Sequence, residues 1–273
     1  MSALITSLFT TGISDPFSSL THLLGAIAFG WLGASLVQKA EGDPVRRVAV
    51  VIFAFSCALM LFVSGLYHML PHGGFARFIM HRVDHAAIFI LIAATFTPMH
   101  AILFRGASRW GVIAVVWLIA IVGLTYKTLY FASIPEWLSL GLYLGYGWLG
   151  LASILALTQR LGYAFVRPML AGAFAYTIGG ITDYAQWPVL VPSVIGSHEI
   201  LHIAVLAGIA CHWQFVRNFA DGTPSPALAT AVQAPAPVQA PALVAVPAPV
   251  RTRKATRRRR APAYALPRNI TPA

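Results

Sequence analysis

Seven stretches of this chain are apolar, about 20 residues long and nearly free of charge: roughly 18–39, 47–69, 83–104, 109–127, 136–157, 168–187 and 198–218. About 20 residues of α-helix cross the hydrocarbon core of a bilayer. Within lipid, only a helix or a closed barrel satisfies every backbone N–H and C=O. The apolar runs are continuous rather than alternating, which argues against a barrel. Of the 273 residues, 58% are hydrophobic and only 10% charged. A soluble domain carries roughly a quarter charged residues, so the solvent of this chain is lipid. Loops between the stretches are short, which predicts one bundle rather than two domains. The expected fold is an all-α membrane protein, a seven-transmembrane helix bundle over residues 1–219, with a disordered C-terminal tail over 220–273.

The net charge of +11 is mostly a property of that tail, which holds eight of the 19 Lys and Arg residues and only Asp221 among the acids. It runs Ala/Pro-rich to Val250 and then into Arg251-Thr-Arg-Lys-Ala-Thr-Arg257-Arg-Arg-Arg260. Frequent proline forbids helix or sheet there. The cationic end suits anionic lipid headgroups, at about 1 kcal/mol per basic residue near a membrane surface. No aromatic residues interleave the arginines, so nucleic acid is not the expected partner. Met1 to Thr10 has neither a basic segment nor a small-residue cleavage site, so no cleavable leader is expected. Cys57 and Cys211 fall inside apolar stretches and are read as buried thiols.

Breakers punctuate the bundle: Asp15-Pro16, Glu41-Gly-Asp-Pro44, Pro71-His-Gly-Gly74, Arg105-Gly-Ala-Ser-Arg109, Ser133-Ile-Pro135, Arg167-Pro168 and Trp187-Pro188. Arg167-Pro168 is expected to open the sixth helix. Trp110, Trp137, Trp148, Trp187 and Trp213 are expected in interfacial belts. Gly141/Gly145 and Gly172/Gly180 have spacings suited to close helix packing.

Against this background the polar residues stand out. Ser64-Gly-Leu-Tyr-His68 closes the second stretch, Asp84 opens the third, and His198-Glu-Ile-Leu-His202 opens the seventh. Ionisable groups inside a membrane mark functional sites. His198 and His202, four residues apart, differ on a helix by about 40° and about 6 Å of rise, so one ion can be held by both. Ser64 and His68 have the same relation. With seven spans, the end of helix two and the starts of helices three and seven share one face. His68, Asp84, His198 and His202 then come to similar depth. Three imidazoles and an open position holding water make the layout of a catalytic zinc, whereas four closed ligands make a structural one. Asp84 is a fourth ligand or the group that holds the water and takes its proton, with Ser64 beside either. His198-Glu199-x-x-His202 also matches the zinc-protease helix with Glu199 as base, but no acid follows until Asp221. His22, His81 and His85 lie on the same face as possible supporting groups. Asp183 and His212 are read as headgroup-facing or paired.

Ser64-x-x-Tyr67-His68, Asp84-His85 leading into Thr95-Phe-Thr-Pro98, Gly172-Ala-Phe-Ala-Tyr176-Thr-Ile-Gly179 and His198-Glu-x-x-His202, in this order, resemble the haemolysin III family. Thr21-His22-Leu-Leu-Gly25 is similar too. The resemblance covers roughly residues 15–219. The family is the bacterial branch of the progestin and adiponectin receptor superfamily, which implies a multi-pass protein of the bacterial plasma (inner) membrane. The resemblance implies zinc on His68, His198 and His202, with Asp84 and Ser64 at or beside the metal-bound water. Kinship with alkaline ceramidases suggests hydrolysis of a lipid amide or ester, with membrane lipids as partners and substrate. The alternatives are a cytolytic or channel-like protein and a receptor-like protein, each with a structural zinc. Outside the tail, eight basic residues lie on the face opposite the site, and only Arg77, Arg82 and Lys127 lie on the site face. The positive-inside rule then puts the site outside and the tail in the cytoplasm. Adiponectin receptors have the reverse orientation.

Overall fold

The computed structural model describes residues 13–192 and 194–223. The chain divides into two units, Met1–Gln233 and Ala234–Ala273. The second unit, the expected tail beyond Thr223, its division from the bundle and its headgroup contacts lie outside the described residues, as does Met1 to Thr10. The described helices are α1 Pro16–Lys39, α2 Pro44–Met69, α3 Phe75–Leu103, α4 Ala107–Leu129, α5 Glu136–Trp148, α6 Leu151–Leu161, α7 Tyr163–Tyr184 and α8 Ser197–Arg217. α5 and α6 together form one span, so seven helical segments are long and apolar enough to cross a membrane. No strand occurs among the described residues.

Several starts follow the local chemistry. Pro16 and Pro44 occupy the first turns of α1 and α2, where the missing N–H costs nothing. Asp43 caps α2, its Oδ1 accepting from the Arg46 backbone N–H at 2.9 Å. That hydrogen bond holds the Asp43 carboxyl below its usual range.

Three boundaries differ from expectation. α3 begins at Phe75, eight residues before the apolar window, because Phe75 to Met80 continue the helix into the interface. Asp84 therefore lies more than two turns inside α3 rather than at its start. Gly162, with φ +82°, ends α6 and lets α7 open at Tyr163, leaving Pro168 inside the helix. The fifth span breaks at Leu149-Gly150, where Gly150 N–H bonds the Gly147 carbonyl at 3.2 Å in a tightened turn. A Cβ at Gly150 would stand 3.2 Å from the Phe96 ring, so the break lets α3 approach closely.

The helices pack as neighbours around a ring from α1 to α8, which returns to α1, and α3 touches α2, α4, α5 and α8. α3 is the axis: 72% of its apolar stretch is buried, against 17% in α4. α7 and α8 meet through Gly172 and Gly179, where an added Cβ would lie 2.4 Å from the His212 ring and 2.6 Å from Ala204. Gly180 faces Leu140 instead, and Gly141 and Gly145 touch no neighbouring helix. Trp110, Trp137 and Trp187 are exposed at helix ends as interfacial residues. Trp213 instead packs inward against Phe29 and Phe53. Trp148 donates to Thr177 Oγ1 at 3.0 Å.

Phe165, Phe215 and Phe219 fill the bundle at the end away from the histidines. The other half is hollow, with a cavity of about 660 Å³. Both cysteines are free, Cys57 buried and Cys211 half-buried.

Candidate metal centre

His68 is in the last turn of α2, and His198 and His202 are in the first two turns of α8. Their three Nε2 atoms form a nearly equilateral triangle: 3.3 Å from His198 to His68, 3.2 Å from His202 to His68 and 3.2 Å from His202 to His198. Ligand atoms about 2.0–2.1 Å from a tetrahedral ion stand about 3.3–3.4 Å apart. The triangle has that edge. It is also a poor hydrogen-bonding arrangement, because an imidazole nitrogen carries either a hydrogen or a lone pair.

The other ring nitrogens decide which. His68 Nδ1–H donates to Asp15 Oδ2 at 2.9 Å. His198 Nδ1–H donates to Asp183 Oδ1 at 3.1 Å. A carboxylate can only accept, so in the neutral imidazoles both Nε2 atoms present lone pairs to one another. Two facing lone pairs repel unless a cation lies between them. Carboxylate–imidazole pairs of this kind orient metal ligands and raise their basicity. The residues therefore suit a metal by donor chemistry as well as by spacing, and an all-imidazole set suits zinc, copper, iron or nickel.

Asp15 was expected only as a helix start. It makes no side-chain cap to α1. Its Oδ2 instead takes His68 and, at 2.7 Å, Arg77 Nη2. Burial raises its carboxyl, but the hydrogen bonds from His68 and Arg77 outweigh that and hold it well below the usual carboxylate range. Its backbone N–H also bonds the His68 carbonyl at 3.1 Å, clamping the start of α1 to the end of α2. A little further on, Ser19 Oγ donates to Gly65 O at 2.9 Å. A Cβ at Gly65 would sit 3.0 Å from the Leu23 backbone nitrogen, so the glycine of the Ser-Gly-Leu-Tyr-His segment permits this crossing.

Asp84 and Ser64 line the cavity together with the histidines. Asp84 is not in the group whose ligand atoms all lie within 4.8 Å of one another, which is His68, His198 and His202 alone among the described residues. The His22 ring lies tilted against that of His202 with centroids 3.9 Å apart, and its Nε2–H donates to His202 O at 3.3 Å. His81 stacks on Tyr67, and His85 Nδ1 lies 3.9 Å from Asp84 Oδ2. Asp183 is paired, not headgroup-facing, and His212 is buried at the deep end of the cavity, against Met169 O. Glu199 turns away. Its Oε2 accepts from Gly196 N–H at 2.8 Å and its Oε1 from Ser18 Oγ at 3.3 Å, so it caps α8 and joins α1 to it.

Seven apolar spans and a histidine triad, with His68 and His202 buried and His198 half-buried, define a multi-pass membrane protein with a candidate metal site. The family model described as Haemolysin-III related matches residues 12–213. The chain is 31% identical over 196 residues to Hemolysin-3 of Bacillus cereus, covering 71% of this chain and 85% of that protein. It is 30% identical over 195 residues to a Hemolysin-3 homolog of Bacillus subtilis (strain 168), covering 71% and 88%. The chain belongs to the haemolysin III family.

Proposed function

We propose that this protein is a zinc-dependent hydrolase acting on an amide or ester of a membrane lipid. The observation that carries the reading is the Nε2 triangle, oriented by Asp15 and Asp183 and opening into a cavity inside the bundle. His68, His198 and His202 would hold the zinc ion, which would supply Lewis acidity, polarising a carbonyl and lowering the pKa of water to about 7.

The protein's own residues do the rest. Asp15 and Asp183 keep the Nδ1 protons of His68 and His198, so their Nε2 lone pairs stay directed at the site. Asp84, outside the ligand triangle and beside it, accepts the proton released from water at its carboxylate and passes it to the leaving amine or alkoxide. Ser64, which lines the same cavity, orients that carboxylate through its hydroxyl. The apolar walls, among them Leu91, Ile92, Phe96 and Val205, hold an acyl chain and keep bulk water from the site.

Metal analysis of the purified protein tests the site, and fatty-acid release from ceramide-like and ester lipids tests the reaction. Native protein is expected to carry about one zinc, and the triple variant His68→Ala/His198→Ala/His202→Ala none. Asp84→Asn is expected to keep zinc and lose hydrolysis by about 10²–10⁴-fold. Full zinc retention in the triple variant would sink the metal centre. Release of no acid, with leakage of vesicles by the same preparation, would replace the hydrolase with a permeabilising protein.

A further inference from the structure

Lys127 has a feature that the proposed reaction leaves unused. It lies in the last turn of α4, where a lysine ordinarily extends its ammonium outward to water and headgroups. Here it is 5% exposed and lines the same cavity as the histidines. Its Nζ donates to Ser139 Oγ at 2.7 Å and lies 4.7 Å from the Phe131 ring centroid. No carboxylate among the described residues lies within 4.0 Å of it, although Glu136, one turn before Ser139 on α5, lines the same cavity. An ammonium has three N–H donors and no acceptor, so one hydroxyl and a ring face leave it under-satisfied in a place where burying a charge is costly. Charged groups turned into a bundle interior mark substrate paths.

The surroundings connect this cation to the metal centre. The Phe131 ring packs on His81 and His85 at 4.6 and 5.1 Å between centroids. His81 stacks on Tyr67 at 4.7 Å, and Tyr67 meets His68 at 4.5 Å. A continuous wall of rings thus runs from Lys127 to the first metal-site histidine. The cavity continues past the site into an apolar part that includes Met60, Phe96 and Ile154. Its volume of about 660 Å³ is within the range of small-molecule pockets, roughly 300–1,000 Å³.

We propose that Lys127 and Ser139 form an anion subsite, and that the cavity takes a single-chain amphiphile bearing a carboxylate or phosphate close to its acyl amide or ester. The chain fills the apolar part, the carbonyl lies at the histidines, and the acid group completes the coordination of the ammonium. Placing the carbonyl rests on the hydrolase reading; the anion subsite does not.

Equilibrium binding to the purified full-length protein tests this with three probes: N-dodecanoylglycine, its uncharged amide N-dodecanoylglycinamide, and dodecyl phosphate. Wild type is expected to bind at least one of the acids about tenfold or more tightly than the uncharged amide, and the stronger acid identifies the headgroup. Lys127→Met removes that preference, and Lys127→Arg keeps it. The preference persists in wild-type protein stripped of metal by a chelator, which shows that the ammonium rather than a metal reads the charge. Equal binding of all three probes by wild type overturns the subsite without recourse to any variant. So does an undiminished preference in Lys127→Met, or its loss on removal of metal by the chelator. The hydrolase reading fails separately. A Lys127-dependent preference with neither amide cleaved leaves the subsite standing without the reaction, and cleavage of the uncharged amide with no preference does the reverse.

Discussion

Asp15 illustrates how one side chain is diverted from a local role to a distant one. An aspartate before Pro16 would ordinarily accept from the first free N–H groups of α1. Here its Oδ2 is occupied by His68 and Arg77, and the helix start goes without that cap. Outer carboxylates of this kind contribute about 10–100-fold to metal affinity. Asp15→Asn and Asp183→Asn are each expected to weaken zinc binding by that factor, read by competition with a chromophoric chelator. Unchanged affinity in both variants would deny them the orienting role. Glu199 gives the opposite expectation. It is spent on Gly196 and Ser18, so Glu199→Gln should keep zinc and lipid hydrolysis within about twofold. Glu199→Ala should lower thermal stability by about 1 kcal/mol through the lost cap. Abolished hydrolysis in Glu199→Gln with zinc retained would restore the protease-like assignment. The histidines were legible because a spacing of four residues is geometry, and a membrane leaves few reasons for imidazoles. Asp15 was not, because the bond that matters spans 53 residues while Asp-Pro already has a sufficient local explanation. Lys127 was misplaced for a related reason: a basic residue near a helix end reads as interfacial whichever way it points.

At the scale of the helices, the difference lies in which glycines carry packing. All of the small-residue pairs in the sequence have plausible spacing, yet spacing alone does not say which way a residue faces. Gly172 stands against the His212 ring and the Gly208 carbonyl, and the space beside Gly208 is filled by the Tyr176 ring. Gly141 and Gly145 are exposed and meet nothing within 4 Å. Gly172→Ala is therefore expected to push α7 from α8 and destabilise the protein by about 1–3 kcal/mol. Gly141→Ala is expected to be neutral or to stabilise by up to about 1 kcal/mol through helix propensity. Thermal melts of the two variants in one detergent check the contrast, and equal behaviour would remove the packing argument. The break at Leu149-Gly150 escaped the sequence because apolarity continues unbroken through it. The same blindness affected α3: hydropathy marks where a helix enters hydrocarbon, not where it begins, and Asp84 came out deeper along α3 as a result.

For the whole molecule, the question is which side of the membrane supplies the water. Seven spans put the start of α1 and the end of α8 on opposite sides. Two of the three cations on the site face are withdrawn from the headgroups. Lys127 is buried, and Arg77 is engaged by Asp15, Tyr67 O and Leu70 O. Arg82 remains, laid over the Phe78 ring. On the other face Lys39 donates to the Arg217 carbonyl and pairs with Asp221 at 3.5 Å, while Arg105 and Arg167 are exposed. Basic loop residues are held in the cytoplasm, so the histidines are expected to open to the outside. Leu190 is exposed between α7 and α8 on the site face, and Glu41 is exposed between α1 and α2 on the other. In intact cells, a membrane-impermeant maleimide should label Leu190→Cys and spare Glu41→Cys until the membrane is opened. Labelling in the reverse order would place the site in the cytoplasm, as in the adiponectin receptors. The substrate would then be an inner-leaflet lipid, and the charge asymmetry would no longer set the orientation of this bundle.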